Sequence, residues 1–332
     1  MNVHQVESHP PIAVVIPCYR VGELVLEVIG RIGPEVGWIF VIDDQCPVGT
    51  GALVQERCQD PRVRVILHDQ NKGVGGATVS GYRAALATEA RVIVKIDGDG
   101  QMSPAAIPSI ADAVLRGQAD YAKGNRFHRV RDLATMPWVR LLGNAGLSFL
   151  TKLSSGYWQL FDPTNGFTAI HRRVLVELDL QAIAPRYFFE SDMLYHLNQL
   201  GAVVSEVPIR AMYGDEPSSL SPWRSIGPFF LGNMRNFARR VLYSYYLRNF
   251  SLASLELLLG LPLLLFGAIY GMFHLLHASP VGEAASSGVV MAAGLPVIVG
   301  TQLVLSWLNY DVSLEPRRPL QQVLPPEGET LP

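Results

Sequence analysis

The sequence predicts an α/β domain on a parallel or mixed, mostly parallel sheet, followed by a membrane-associated helical segment. Three observations predict it. Strand and helix signals alternate through about the first 215 residues. Acidic or glycine-rich turns follow the second, third and fourth strands, at the carboxyl ends where open α/β sheets take ligands. Two long apolar stretches stand near the end of the chain.

Ile12–Ile16 is a buried-strand run ended by Pro17, and Leu24–Ile29 fits the helix after it. Trp38–Ile42 is a second strand that stops at Asp43-Asp44, which alone would be no more than helix caps. Val63–Leu67 is a third, followed by Asn71-Lys72-Gly73-Val74-Gly75-Gly76 and a helix over Ala77–Ala87. That loop lacks the G-x-G-x-x-G spacing, so it is not a dinucleotide fingerprint. Val92–Pro104 reads VIVKIDGDGQMSP: an apolar run around Lys95 that stops at Asp97 and Asp99. Gly98 and Gly100 clear the turn of side-chain bulk, and Gln101 adds another oxygen ligand or hydrogen bond. Hard oxygen ligands at a strand's carboxyl end suit a divalent cation that also binds substrate phosphates; the bland alternative is a charged surface turn. Ser103-Pro104 opens a helix as N-cap and first residue, and Gly117 closes it. Pro108 requires a distorted first turn there. Ala202–Val207 is a late strand.

At 332 residues the chain accommodates one large domain plus extras. A formal net charge of −2 gives no basis for nucleic-acid binding. The first ten residues are polar, without an apolar signal core, so the N-terminus is expected in the cytosol. Cys18, Cys46 and Cys58 are odd in number and lack metal-site spacing, as fits reduced structural thiols.

Leu252–Leu276 and Ser287–Leu308 each approach the roughly 20 apolar residues that cross a bilayer. No Lys or Arg occurs between Ser251 and Pro316, whereas Arg235, Arg239, Arg240 and Arg248 precede the stretches and Arg317 and Arg318 follow them. Both flanks are therefore expected on the cytosolic side and His277–Ala285 outside; the alternative is a buried hairpin of a soluble protein. Glu256 is costly in a span unless it is paired, near the interface or at a helix–helix contact. Gly260, Gly267 and Gly271 permit close helix packing, compatible with a homo-oligomer. Ile226, Phe230, Met234, Phe237, Val241 and Tyr245 recur at helical spacing with arginines off the stripe. Such a helix suits the headgroup layer; packing on the soluble domain is the competing reading.

The order of the motifs then carries a resemblance. VVIPCYR, VIDD, NKGVGGATVSGYRAAL, DGDGQMSP, GNRF, DPTNGFTAIHRRVL, YFFESDML and VPIRAMYGDEPSSL occur in this sequence from Val14 to Leu220. The series resembles glycosyltransferase family 2, in its polyprenyl-phosphate branch typified by dolichol-phosphate mannosyltransferase. The resemblance implies a GT-A type nucleotide-sugar domain and inverting, metal-dependent transfer of a hexose from a UDP- or GDP-sugar to polyprenyl phosphate. It also implies a multi-pass protein of the inner (cytoplasmic) membrane with a cytosolic catalytic domain.

Carried over residue by residue, the resemblance places Pro17 and Tyr19 along the base and ribose. Asp43 matches the carboxylate that hydrogen-bonds the base, with Asp44 beside it, and Gly73 and Gly75 match the loop near the nucleotide. Asp97 and Asp99 match the metal-binding pair, Asp99 as direct ligand and Asp97 near the ribose or metal, with Gln101 following and Mg²⁺ or Mn²⁺ as cofactor. Arg126 and Arg140 resemble the arginines that hold the acceptor phosphate. Asp162 opens the segment near the acceptor, and Glu190 and Asp192 match the late acidic motif; Asp97, Asp99, Asp162 and Asp192 are the catalytic candidates. Two departures stand out. Cys46 and Val48 replace the usual serine and last carboxylate of D-D-x-S-x-D, which leaves base identity open, and YGDEPSSL replaces a basic loop.

The chemistry agrees with the resemblance. The departing diphosphate needs its charge stabilised, which a cation on all-oxygen ligands supplies. A lipid monophosphate, with a second pKa near ~6, is already largely dianionic and needs arginines rather than a base. The Arg126, Arg129, Arg131 and Arg140 cluster could supply them or be a solvated basic loop. A sugar hydroxyl would need a base at Asp162 or Asp192, so a lipid-linked sugar or other hydroxyl acceptor is one alternative. A non-catalytic membrane scaffold is another. A processive synthase is disfavoured, because Pro222-Trp223-Arg224 is not its Q-x-x-R-W element. The expected divisions are a polar extension 1–10, a catalytic domain 11–222, a juxtamembrane helix 223–250, two spans 251–310 and a cytosolic tail 311–332.

Overall fold

The structure is a computed structural model that describes residues 11–127, 138–209, 222–277 and 286–325, except for the side chains of 138–142, 144 and 222–226. The first seven elements alternate: β1 (Ile12–Cys18), α1 (Leu24–Gly30), β2 (Val36–Asp43), α2 (Thr50–Arg57), β3 (Val63–Leu67), α3 (Gly73–Leu86) and β4 (Val92–Lys95). Next come α4 (Ile107–Leu115), β5 (Tyr121–Asn125), α5 (Trp138–Ser155), β6 (Thr168–His171), α6 (Arg172–Glu177), α7 (Phe189–Leu200) and β7 (Val204–Pro208). The strands form one sheet in the order β3-β2-β1-β4-β6-β5-β7. β6 runs antiparallel to both β4 and β5, and the other pairings are parallel. The chain winds outward from β1 to β3 and then returns to β1's other side as β4. The switch point therefore lies at the carboxyl ends of β1 and β4, the position at which open α/β sheets take ligands.

Every β1 residue is buried, and its alternate side chains enter different cores. Ala13 and Val15 join Tyr82 of α3 and Phe189 and Leu194 of α7. Val14 and Ile16 join Val28 of α1 and Ile107 and Val114 of α4. A strand covered on both faces reads as an unbroken apolar run, as here.

Several elements differ from expectation. Pro17 lies inside β1 opposite Ile42, because pairing with β4 has already stopped at Val15–Lys95 and no ladder bond is lost. The helix after Asn71 begins at Gly73, so the glycine loop is its first turn. Pro108 is accommodated because a 3₁₀ turn over Pro104–Ala106 precedes α4, which leaves the proline in the helix's first turn.

The chain divides into two compact units, one running to Phe237 and resuming at Pro316, the other Ala238–Glu315. The division differs from the expected breaks after 222 and 310. α8 (Pro222–Val241) holds to the first unit through Asn233, which accepts from Ser154 Oγ at 2.5 Å, and Asn236, buried against Asp192. Its buried positions are thus polar, whereas Phe230, from the apolar stripe, is exposed. Beyond Pro316 the chain returns to the same unit, where the Asp120 carboxylate accepts the N–H groups of Leu320 (2.6 Å) and Gln321 (2.8 Å).

In the second unit a π-helical turn, Leu242–Arg248, precedes α9 (Leu252–Leu276) and α10 (Ser287–Ser313). α9 and α10 have mean hydropathies of 2.1 and 2.0 and are long and apolar enough to cross a membrane. A Cβ on Gly260 would lie 2.8 Å from Leu303 Cβ, and one on Gly267 would lie 2.6 Å from Ala293 O, so these glycines serve packing within the hairpin. Glu256 accepts from Ser306 Oγ at 2.8 Å, the interhelical contact that its position requires. Arg240, at the start of this unit, makes a two-point ion pair with Asp311 (2.7 and 2.9 Å), and Tyr245 donates to Asp311 Oδ1 at 2.6 Å.

Candidate active site

The loops after β1 and β2 form one side of the crevice. Pro17 is buried, while Tyr19 is 45% exposed with the Arg20 guanidinium 5.3 Å from its ring centroid. Asp43 and Asp44 reach this rim, but their carboxylates turn inward. Asp43 accepts the N–H groups of Cys46 and Gly51, both at 2.6 Å. Asp44 accepts from Lys72 N (2.8 Å) and Gly73 N (2.7 Å) and contacts His68 Nδ1 (2.7 Å), thereby capping α3 from a neighbouring loop. Both Asp43 oxygens thus hold the turn after β2, supplying partners for N–H groups that would otherwise be buried unpaired. Gly75 is required by a close approach: a Cβ there would collide with Ala184 O and meet Phe189 Cβ at 2.9 Å. Cys46 performs its local task in place of serine, accepting from Arg20 N and sharing a hydrogen bond with Thr50 Oγ1, both at 3.0 Å. Burial opposes its thiolate, but these bonds hold the thiol below its ordinary range.

β4 delivers the central carboxylates. Asp97 and Asp99 lie partly exposed just beyond Lys95, and Gln101 is exposed. Asp99 Oδ1 accepts the Gln101 N–H at 3.0 Å, an Asx-type turn that Gly100 permits with φ 73°. Lys95 is fully buried, with Nζ 2.9 Å from Asp97 Oδ1 and 3.2 Å from Glu190 Oε1. Burial works against its charge, but the two carboxylates outweigh that cost and hold Lys95 above the ordinary lysine range. Gly166 crosses directly over the pair: a Cβ there would stand 2.5 Å from Lys95 Nζ and 2.7 Å from Asp97 Oδ2.

β5 delivers the cationic side. Arg126 follows its last residue and grips Asp162, with Nε to Oδ2 at 2.8 Å and Nη2 to Oδ1 at 3.0 Å. The segment opened by Asp162 is held by Glu206, which accepts the N–H groups of Phe161 (2.6 Å) and Asp162 (2.9 Å). The buried Lys123 donates to the main-chain oxygen of Asn165, and burial pushes its pKa down to about 8. Asp162 and Gly166 are four residues apart in one segment, hence within about 14 Å even if it were fully extended. One short segment therefore joins the Arg126 grip to the Asp97 turn.

Not every expected residue joins them. Asp192, a catalytic candidate, is buried with Ala184 N donating at 2.6 Å and Asn236 Nδ2 at 2.7 Å. Burial disfavours its charge, but bonds from His196, Asn236 and Ala184 keep its pKa below the ordinary range. Asp192 is a tie between α7 and α8, because residues two apart on a helix point to nearly opposite faces and Glu190 takes the Lys95 side. Arg129, Arg131 and the loop YGDEPSSL lie outside the described residues, as does the side chain of Arg140. Sequence reasoning missed Lys95, Lys123 and Asn236 as partners. A lysine inside an apolar strand was the available signal, since a buried ammonium requires a carboxylate.

The described residues hold no group of three or more His, Cys, Asp and Glu side chains suited to a metal ion. A cation on Asp97, Asp99 and Gln101 would thus have oxygen ligands only and would complete its shell from elsewhere. This fits a hard ion shared with substrate phosphates.

The family model described as Glycosyl transferase family 2 matches residues 13–179. UDP-N-acetylglucosamine–dolichyl-phosphate N-acetylglucosaminyltransferase of Methanococcus voltae is 29% identical, over 61% of this chain and 86% of its own length. Polyprenol monophosphomannose synthase of Mycolicibacterium smegmatis is 34% identical, over 59% and 75% respectively. Among solved structures, glucosyl-3-phosphoglycerate synthase from Mycobacterium tuberculosis with phosphoglyceric acid shares the fold at a TM-score of 0.51 and 20% identity, covering 70% of this chain and 80% of its own. The same synthase has been crystallised with Mn²⁺ and UDP (TM-score 0.48, 20% identity, 70% and 80% coverage).

Proposed function

The chain belongs to glycosyl transferase family 2, and we propose that it transfers a hexose, with inversion, from a UDP- or GDP-linked donor to polyprenyl phosphate at the cytosolic face of a membrane. The observation that carries this reading is the single segment Asp162–Gly166, which ties the Arg126 guanidinium at one end to the Asp97 carboxylate at the other. On this reading an arginine suited to an acceptor phosphate and a carboxylate pair suited to a cation are joined by one short segment. The relatives named for dolichyl-phosphate and polyprenol products point to the same acceptor chemistry.

In this reading Asp97, Asp99 and Gln101 hold Mg²⁺ or Mn²⁺, which when bound offsets the charge developing on the departing diphosphate. Tyr19 and the loops held by Asp43 and Asp44 receive the nucleoside, with the Gly73–Gly75 turn near it. Arg126, oriented by Asp162, presents planar donors to the acceptor phosphate, with Arg140 as its partner. That phosphate is already anionic at neutral pH, so Asp162 serves as a positioning group and no protein base is required. The two apolar helices would keep the domain beside its lipid substrate.

The test is incubation of the full-length protein in detergent with Mn²⁺, a short-chain polyprenyl phosphate and a panel of UDP- and GDP-sugars, reading product by mass. One donor should yield polyprenyl-phosphate hexose. Transfer only to a lipid-linked sugar, or no transfer from any donor, would reject the proposal.

A further inference from the structure

Lys95 has no place in the transfer as described so far, yet its surroundings are specific. Its ammonium is fully buried, and the partners that it meets are carboxylates, Asp97 Oδ1 at 2.9 Å and Glu190 Oε1 at 3.2 Å. The two partners differ in setting. Asp97 is 30% exposed at its side chain and borders the crevice, while Glu190 is 13% exposed and comes from α7 behind it. Gly166 lies against Lys95 Nζ and the Asp97 carboxylate with no room for a side chain, so main chain covers the ammonium on that side. Asp97 therefore cannot rotate freely: Oδ1 is tethered inward, and Oδ2 is the oxygen beside Gly166.

Resting on the reading above, we propose that Lys95 is a positioning residue for the donor's cation site. It aims Asp97 and, with an ammonium shared with Glu190, offsets part of the charge that Asp97 and Asp99 would otherwise present. Ligands are commonly oriented and tuned by such outer partners. Glu190 fixes the ammonium from the far side, so Lys95 cannot follow Asp97 outward. A carboxylate pair whose charge is partly offset in this way attracts a divalent cation less strongly by itself. The cation's affinity then depends on the diphosphate oxygens that arrive with the donor, and an ion is not retained after the nucleotide leaves.

This makes a prediction opposite to that of a merely structural lysine. Loosening a structural prop would weaken Mn²⁺ binding. Removing a neutralising charge would strengthen it while turnover falls. Mn²⁺ binding to detergent-solubilised full-length protein is read by electron paramagnetic resonance of the free ion, alone and with UDP or GDP. In Lys95→Met the affinity for Mn²⁺ alone should rise about fivefold or more, the gain on adding nucleotide should shrink, and kcat should fall about a hundredfold at saturating donor. Lys95→Met/Glu190→Gln removes the second buried charge and guards against misfolding. It should melt close to the parent, and its kcat should stay low because Asp97 is still untethered. Unchanged or weaker Mn²⁺ binding in Lys95→Met, or full recovery of kcat in the double variant, would overturn the proposal. The Mn²⁺ titration needs no acceptor, so it judges Lys95 even if the polyprenyl-phosphate assay fails.

Discussion

Arg126 and Asp162 meet in a two-point ion pair in which the aspartate side chain is buried and the arginine side chain is about one-third exposed. The Nε and Nη2 edge of the arginine is fixed by this bond, and the guanidinium also lies 5.5 Å from the Phe127 ring centroid. Asp162 also accepts the Arg126 main-chain N–H at 3.3 Å and the Asn165 amide at 3.3 Å, so it organises the whole corner.

Replacing Asp162 with Asn should therefore act through the arginine. Charge-assisted hydrogen bonds are worth about 1.5–3 kcal/mol, which corresponds to roughly a 10–150-fold loss in kcat/KM. The loss should appear chiefly in the KM for polyprenyl phosphate, with donor KM little changed. Arg126→Lys should fall in the same range, because a point charge cannot reproduce the planar fork. Steady-state kinetics with each substrate varied in turn checks both.

Asp99→Ala should remove most turnover, by several kcal/mol or on the order of a thousandfold. Chelation of the wild type with EDTA should do likewise, and Mn²⁺ or Mg²⁺ should restore activity to the wild type but not to the variant. Substantial Mn²⁺-dependent transfer by Asp99→Ala would contradict the assignment.

Lys123 gives a pH signature in stability. Its folded pKa, lowered by burial to about 8, lies below the ordinary lysine value of 10.5. Between these values the unfolded chain binds more protons, so stability rises with pH across that window. The cost of burying the ammonium is fully present below about pH 8 and is gone above about 10.5. Lys123→Met should lose this component: the difference in melting temperature between wild type and variant should change from pH 7.5 to 10.5 and stay flat from pH 6 to 7.5.

In the second unit, Asp311→Ala would leave the buried Arg240 without its carboxylate, and breaking such a pair costs about 3–5 kcal/mol. Thermal unfolding in detergent should show a clear drop. Arg240→Met/Asp311→Leu should regain most of it, since replacing both charges with apolar groups avoids the unpaired ion.

Much of the fold was legible because its signals are local. Apolar runs, turn glycines and helix caps are written within a few residues of where they act, so β3 agrees with expectation to the residue and the Asp97–Gln101 turn stands at a strand's end. The two apolar helices were equally plain, since length and hydropathy are read directly. The insertion of antiparallel β6 between β4 and β5 was not legible, because a four-residue strand carries no mark of its direction.

The site divides along the same line. By itself the sequence determined which chemical groups the crevice contains: carboxylates, arginines and glycines at spacings that local backbone geometry makes meaningful. Only the tertiary structure decided which of them are engaged by the protein's own donors. Lys95 and Glu190 meet across 95 residues of sequence. Asp43, Asp44 and Asp192 turn inward to main-chain N–H groups and a helix amide, whereas Asp97 stays at the rim. The reason is that a carboxylate's role depends on which donors lie nearest once the chain has folded, and those donors come from segments whose spacing no local pattern encodes.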